Sequence, residues 1–182
     1  MSADGSRLAV GFSYASDNTG YVRVFSLNSF SSEWIQLGDD INGEAVGDIS
    51  GVSVSLSSDG SIVAIGGPSN DGASSNSGQV RVYEYDSASW IQRGADIDCD
   101  AAADISGVSV SLASNGSIVA IGVPSNADAS SNSGQVRVYE YDSASWIQRG
   151  ADIDGEAAGD HSGASVSMSS DGSIVAIGVP SN

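Results

Sequence analysis

The sequence predicts an all-β protein, specifically a β-propeller built from four-stranded antiparallel blades. The main observation is an internal repeat, because the segment SNSGQVRVYEYDSASWIQRGADID occurs at 75–98 and again, unchanged, at 131–154. Trp34, Trp90 and Trp146 follow one another at the same spacing of 56 residues. A coil of a β-solenoid usually takes roughly 20–30 residues and a propeller blade about 40–60, so the period favours blades.

The first two strands of the repeat are predicted from its second copy. In 52–57, valine and leucine alternate with serine, which is the period-two pattern of a half-buried strand. The segment 62–65 is a continuous apolar run, typical of a strand covered on both faces. Asp59 and Gly60 lie between the two segments, and an Asp-Gly pair supplies the positive φ angles of a tight hairpin turn.

Two further strands complete the repeat. The segment 79–86, QVRVYEYD, is rich in β-branched and aromatic residues, and a more polar strand begins at Trp90. The loops before these strands are rich in serine, asparagine, aspartate and glycine, which are turn residues. Four strands joined by short turns in sequence order form an antiparallel meander, the arrangement of one propeller blade.

The repeats divide a single propeller segment, 1–182, into approximately 1–48, 49–104, 105–160 and 161–182. The first copy begins near the end of its first strand and the last stops after its second strand, which gives about three and a quarter blades. A propeller needs about four to eight blades to close. We therefore expect an open arc that is either a fragment of a longer propeller or completed by oligomerisation with sister copies.

Three segments, 50–68, 106–124 and 162–180, share the pattern SGxSVSxxSxGSIVAIGxP. This pattern resembles the FG-GAP repeats of integrin α-subunit propellers, with Ser-Gly in place of Phe-Gly and Gly-Gly-Pro or Gly-Val-Pro in place of Gly-Ala-Pro. The resemblance implies a cell-surface propeller that binds proteins. Many members of the family bind calcium through several aspartates in the first hairpin loop. Here that loop holds only Asp59, Asn115 or Asp171, so this calcium role does not carry over.

Composition limits the partners. The net charge of −17, from six arginines and 23 acids without any lysine, opposes binding to nucleic acid phosphates and to anionic membranes, and favours cations or a basic protein. The alternative is that the charge only keeps a serine- and glycine-rich surface soluble. No apolar run approaches the ~18 residues of a membrane span. Cys99 has acidic neighbours, which would raise the pKa of its thiol and leave it unreactive.

Acidic connectors follow the fourth strand of each repeat, at 39–48, 96–104 and 152–163. Clustered carboxylates suit a hard cation such as calcium, so the last two connectors supply candidate metal ligands. The alternative is that the acids only form solvated turns. The candidate ligands are Asp96, Asp98, Asp100, Asp104, Asp152, Asp154, Glu156 and Asp160, and the equivalent acids of the first connector are Asp39, Asp40, Glu44 and Asp48.

The sequence does not predict an enzyme, because His161 is the only histidine and no base recurs beside the many serines. Exact repetition favours a non-catalytic module, outside the cell or in a lumen, that binds a protein partner or assembles with sister copies. The alternative is an adhesion module that binds calcium or carbohydrate through its acidic loops. The tryptophans and the tyrosines at 83, 85, 139 and 141 would stack on a sugar in that alternative, but packing between neighbouring blades is favoured.

Overall fold

The computed structural model of the chain describes residues 1–99 and 101–181. It contains four separate antiparallel sheets and one four-residue helical turn, so the all-β prediction is confirmed. No helix among the described residues is long and apolar enough to cross a membrane.

The elements follow the repeats in order. Sheet 1 contains β1 (Arg7–Gly11), α1 (Ala15–Asn18) as a connection, β2 (Tyr21–Leu27), β3 (Trp34–Gln36) and β4 (Ile41–Asn42). Sheet 2 contains β5 (Ser53–Leu56), β6 (Ile62–Gly67), β7 (Gln79–Tyr85), β8 (Trp90–Gln92) and β9 (Ile97–Asp98). Sheet 3 contains β10 (Ser109–Leu112), β11 (Ile118–Val123), β12 (Gln135–Tyr141), β13 (Trp146–Gln148) and β14 (Ile153–Asp154). Sheet 4 contains β15 (Ser165–Met168) and β16 (Val175–Gly178).

Each complete sheet is a meander, as the sequence predicts, but its fourth strand is broken. In sheet 2, β8 and β9 both pair with β7. Gln92 lies opposite Tyr83 and Ile97 lies opposite Val80, so four residues face two on the partner strand and form a bulge. Gly94 within this bulge has a φ of 80°, a conformation that glycine adopts without steric cost.

The predicted hairpin turns are confirmed. Gly60, Gly116 and Gly172 have φ angles of 69°, 66° and 70°. The carboxylate of Asp59 accepts hydrogen bonds from the Ser57 and Ser61 hydroxyls and from the Ser61 amide. Asp171 is bonded in the same way, and these bonds fix the turn that carries the chain from the first strand of a sheet to the second.

Successive sheets lie against one another through the first strand of the following sheet. First strands are in contact where β5 meets β10 and β10 meets β15, and β1, which is equivalent to the second strand β6, contacts β5. A row of main-chain hydrogen bonds accompanies them, from the Ala3 amide to the Ser58 carbonyl (2.7 Å), from Ser58 to Ser114 (2.8 Å) and from Ser114 to Ser170 (2.8 Å). Equivalent residues of the repeat thus bond to one another across all four sheets.

The serines of the first strand hold this interface together. The Ser53 hydroxyl donates to the Gly107 carbonyl of the next sheet (2.7 Å), and the Ser55 hydroxyl accepts from the Leu112 amide (3.0 Å). Sheets 3 and 4 repeat both bonds 56 residues later. The predicted half-buried strand is therefore confirmed, and its polar side faces the neighbouring sheet as well as solvent.

The apolar core fills the space between the sheets. Val63, Ile65, Val119 and Ile121 on the second strands are all 1% exposed or less. The equivalent apolar strand in sheet 4 has no further sheet against it among the described residues, and Ile174 beside it is 68% exposed. Burial of the repeated apolar run therefore depends on a following sheet rather than on the sheet itself.

The residue four positions before each of the strands β5, β10 and β15 has a left-handed backbone conformation. Ile49, Ile105 and His161 have φ angles of 52°, 53° and 55°, and each donates its amide to the carbonyl of an asparagine in the preceding polar loop. Left-handed conformations cost a β-branched residue free energy, whereas histidine and asparagine tolerate them better. The surrounding hydrogen bonds therefore hold two isoleucines in an unfavourable conformation.

We expect Ile105→Asn to raise the free energy of unfolding by about 0.5–1 kcal/mol, because asparagine relieves the backbone strain. Urea denaturation followed by tryptophan fluorescence measures the change. The matched variant His161→Ile introduces the same strain and should destabilise the protein by a similar amount. Loss of stability in Ile105→Asn would show that the buried part of the isoleucine side chain matters more than its backbone conformation.

We expect the carboxyl group of Asp171 to titrate near pH 2. Hydrogen bonds from the Ser169 hydroxyl, followed by those from Ser173, lower its pKa from 3.8 to about 2. The carboxylate therefore contributes its full stabilisation above pH 3.8 and loses it as the pH falls towards 2. Carbon-13 NMR of the carboxyl group measures the midpoint. Ser169→Ala should raise that midpoint towards 3.8, and an unchanged midpoint would contradict the assigned cause.

Candidate functional site

The acidic connectors and the polar loops lie together on one face of the structure, here called the acidic face (residues 12–20, 39–50, 68–78, 96–106, 124–134 and 152–163, with Asp100 not described). Parallel bridges join Gly20 to Ser50, Gly78 to Ser106 and Gly134 to Ser162. Each bridge connects the polar loop of one sheet to the end of the acidic connector that leads to the next. The repeat therefore places three copies of the same acidic surface side by side.

The last acid of each connector has a structural role. Asp48, Asp104 and Asp160 are buried. The Asp48 carboxylate accepts from the amides of Glu44 (3.1 Å) and Ala45 (2.8 Å), so it closes the turn within its own connector. Asp160 accepts from the Ala157 amide in the same way, at 2.8 Å. Asp104 instead accepts from the side-chain amide of Asn126, at 3.0 Å. These internal hydrogen bonds engage all three carboxylates, so they are not free to supply a full set of ligands to a cation.

Acids at the bulge of the fourth strand pair with side chains of their own sheet. Arg23 donates two hydrogen bonds to Asp40, at 2.8 and 2.9 Å, and this contact lowers the pKa of the Asp40 carboxyl. The Gln92 amide donates to Asp96, at 2.6 Å. Asp152 accepts from Gln148 and from the Arg137 guanidinium, at 3.2 Å for the latter. The bulge therefore holds its carboxylate through hydrogen bonds within the sheet.

The remaining acids are spread over the acidic face. Asp39, Asp98, Asp154 and Glu156 are exposed, and Asp100 lies outside the described residues. Gln135 reaches Asp152 and Asp154 at 3.2 Å each when its amide is oriented to donate to them. Residues 1–99 and 101–181 contain no group of three or more histidine, cysteine, aspartate or glutamate side chains that could hold a metal ion. The structure does not bring the described candidate ligands into one cluster.

A cleft of about 380 Å³ opens on the acidic face between the first connector and the polar loop of sheet 2. Glu44 and Asp48 line one side and Asp71 and Asn76 line the other. The Asp71 carboxylate accepts from the Asn76 amide at 2.7 Å, so the loop wall is ordered by its own hydrogen bond. Glu44 is exposed at this cleft, where its charge is available to a partner in solution.

Two residues of β7 that contact the first connector were not predicted from the sequence. Gln79 donates to Glu44 at 3.1 Å, and Arg81 donates to the Asn42 carbonyl at 2.9 Å, so both reach the connector of the preceding sheet. Arg81 lies 3.7 Å from the Glu44 carboxylate. A signal that could have identified Gln79 and Arg81 is the identical QVR segment of the two exact repeats. In both repeats this segment places a buried glutamine and a buried arginine next to an acidic loop.

Cys99 stands in the place of Gly43 in the next repeat, and Arg137 is the equivalent of Arg81 there. The Arg137 guanidinium lies 3.6 Å from the Cys99 sulfur of the preceding connector, and it also donates to Asp152 of its own sheet at 3.2 Å. Burial raises the pKa of the Cys99 thiol to about 11. A thiol of this kind is protonated at neutral pH, which agrees with the unreactive cysteine predicted from the sequence, although burial is the larger cause.

Trp90 and Trp146 pack between sheets, whereas Trp34 of the first sheet is 42% exposed. The Trp90 indole donates to the Leu37 carbonyl of sheet 1 at 2.8 Å, and Trp146 donates to the Arg93 carbonyl of sheet 2 at 2.7 Å. Each ring also lies 5.2 Å from a tyrosine ring of its own sheet, so its faces are largely used. This geometry is the predicted packing between neighbouring repeats, and it leaves these two rings little surface for a sugar.

Comparisons with known proteins support the fold alone. No protein-family model and no curated protein matches the chain. A solved structure of hydrazine synthase from Kuenenia stuttgartiensis is similar, with a TM-score of 0.58 and 13% sequence identity. The similarity covers all of this chain and 58% of the hydrazine synthase chain, so this chain spans less than two thirds of the length of the hydrazine synthase chain.

We expect Trp146→Phe to lower the free energy of unfolding by about 1–3 kcal/mol, because it removes the indole hydrogen bond between sheets 2 and 3 and part of the buried ring. Thermal and urea denaturation measure the change. Trp34→Phe is the matched control, since Trp34 is 42% exposed and belongs to the first sheet. Equal destabilisation by the two variants would show that the contact between sheets is not the cause.

Proposed function

We propose that the four sheets are blades of a β-propeller of the FG-GAP type and that the chain is an arc of that propeller. The support comes from three features: four-stranded meanders, first strands that lie next to one another in order, and hydrogen bonds that recur at the repeat spacing. The TM-score of 0.58 to a solved structure is consistent with a recurrent fold of this kind.

The function that the geometry supports best is a non-catalytic interaction module, at a cell surface or in a lumen, whose acidic face binds a basic protein partner. The observation that carries this proposal is that an acidic connector lies beside a polar loop three times. The bridges at Ser50, Ser106 and Ser162 hold each connector in this position. Regular rows of exposed carboxylates attract a basic surface and increase the rate of encounter with it. The net charge of −17 acts in the same direction.

Calcium or carbohydrate binding is the second candidate. It is favoured by the cleft at Glu44, where carboxylate and asparagine oxygens lie on facing walls, because hard cations prefer oxygen ligands. The carboxylates of Asp48 and Asp71 already accept hydrogen bonds from main-chain amides, which disfavours their use as calcium ligands. Under this candidate calcium would bind at the cleft without any basic protein.

Titration calorimetry with poly-L-lysine and, separately, with calcium chloride tests the two candidates. We expect poly-L-lysine to bind, with an affinity that falls steeply as salt is raised, and calcium to bind no more tightly than about millimolar. Glu44→Gln and Glu156→Gln should each weaken poly-L-lysine binding by roughly two- to fivefold, from the loss of about 0.4–1 kcal/mol per exposed charge pair.

Glu33→Gln is the matched control, because Glu33 is an exposed glutamate on the turn between β2 and β3, away from the acidic face. If Glu33→Gln weakens binding as much as Glu44→Gln does, attraction is general and the acidic face has no special role. Calcium binding in the micromolar range, lost in Glu44→Gln, would replace the proposal with the second candidate.

A further inference from the structure

A second surface lies at the outer rim, between the fourth strand of one sheet and the following sheet. A groove of about 300 Å³ there is lined by Glu84, Asp86, Ile91, Gln92, Arg93 and Tyr141. A second groove, of about 340 Å³, is lined by the equivalent residues 56 positions later and by Tyr141. The residues of this second groove all belong to sheet 3, whereas the following sheet contributes Tyr141 to the first groove. These rim grooves (Glu84–Arg93 and Glu140–Arg149 with their neighbours) lie apart from the acidic face and are formed by the exactly repeated segments.

The floor of each rim groove is an exposed isoleucine beside a glutamate. Ile91 and Ile147 are each 52% exposed, although they belong to β-strands. In the strand register Ile91 lies opposite Glu84, and Ile147 lies opposite Glu140, whose side chains are 56% and 55% exposed. Each groove therefore offers an apolar contact and a carboxylate next to each other.

Arg93 forms a fixed wall of the first groove. Its guanidinium carbon lies 4.4 Å from the centre of the Tyr141 ring, and one of its nitrogens lies 3.8 Å from the Glu84 carboxylate. The carbonyl of Arg93 also accepts the Trp146 indole hydrogen bond, so its main chain is held as well. The side of Tyr141 that meets Arg93 is covered, which leaves the isoleucine and the carboxylates for a ligand.

The strand at each rim groove has a free edge. Among the described strands β8 pairs only with β7. The Arg93 amide bonds to the Val82 carbonyl, and the Asp86 amide bonds to the Ser89 carbonyl. Since antiparallel pairs alternate between bonded and non-bonded, Trp90 and Gln92 direct their amide and carbonyl groups away from β7. An edge of this kind is a template for an added strand.

We propose that the rim grooves bind an extended peptide of another protein, which adds to β8 or β13 as a further antiparallel strand. Side chains of a strand alternate between its two faces, so every second residue of the peptide faces the groove. One groove-facing residue is aliphatic and packs on Ile91. The groove-facing residue two positions away is lysine or arginine and pairs with Glu84 or Asp86, because the acids outnumber the single arginine there.

Sheet 1 provides a natural comparison. Ile35 is also 52% exposed on the rim strand β3, but the residue opposite it is Ser26 instead of glutamate. Leu37 stands where the other two sheets have arginine. Sheet 1 therefore has the exposed isoleucine without the neighbouring glutamate and arginine. We expect sheet 1 to bind such a peptide more weakly.

The test uses a synthetic peptide that repeats Val-Thr-Lys-Thr, so that valine and lysine stand two positions apart on one face of the strand. A peptide that repeats Val-Thr-Glu-Thr serves for comparison, and binding is followed by calorimetry and by amide NMR of the 182-residue chain. We expect the valine and lysine peptide to bind and to shift the amide signals of Trp90, Gln92, Trp146 and Gln148. The double variant Ile91→Ser, Ile147→Ser should weaken binding by about tenfold or more, from loss of apolar contact. Ile35→Ser is the control and should change the affinity less than twofold.

Several outcomes would overturn the proposal. Equal loss in Ile35→Ser, equal binding of the glutamate peptide, or unshifted amides at Trp90 and Gln92 would each do so. A dimer in sedimentation that Ile91→Ser abolishes would assign the groove to a second copy of the chain instead. If Glu44→Gln weakens the peptide and Ile91→Ser does not, the peptide binds the acidic face, so the rim proposal fails and the proposed function stands.

Discussion

The hydroxyl groups of serines on the first strands are the contact on which the rest of the structure depends. They donate to and accept from the main chain of the next sheet, at Ser53, Ser55, Ser109 and Ser111. A small hydroxyl allows neighbouring first strands to approach closely and at the same time satisfies main-chain groups that would otherwise be buried without partners. The apolar second strands of sheets 2 and 3 lie buried beside these first strands.

The acidic face follows from the same arrangement. Since each sheet is placed against the next by equivalent bonds, each acidic connector meets the same polar loop. The carboxylates then divide by position: those at the end of a connector close a turn, those at the bulge pair with glutamine or arginine, and a few, such as Glu44 and Glu156, remain exposed. This last group presents its carboxylates to a partner in solution.

Local features of the fold could be predicted from the sequence, because strand patterns and Asp-Gly turns depend on neighbouring residues. The break in the fourth strand was not predicted, since it depends on how Arg93 to Asp96 are accommodated opposite two residues of β7. The left-handed Ile49 and Ile105 were also missed, because isoleucine does not favour that conformation and only contacts with the preceding loop impose it.

The candidate site could be predicted only as a set of acids on one face. Their partners come from other strands and in part from other sheets, as when Arg81 reaches the Asn42 carbonyl. The exact repeat points to Arg81 as a residue next to an acidic loop, but it does not reveal which group of the preceding sheet Arg81 contacts. In the identical segment of the next sheet, Arg137 contacts the sulfur of Cys99, at a position where the first repeat has Gly43.

The identical segments at 75–98 and 131–154 have a consequence for how the chain finds its fold. The strands β7 and β12 carry the same seven residues, so either of them could pair with β6 or with β11 at nearly equal free energy. Side-chain contacts therefore do not select the correct strand pairing. The short connections between neighbouring strands select it, because they bring the correct partner strand into contact first. The order of the sheets is thus determined by chain connectivity.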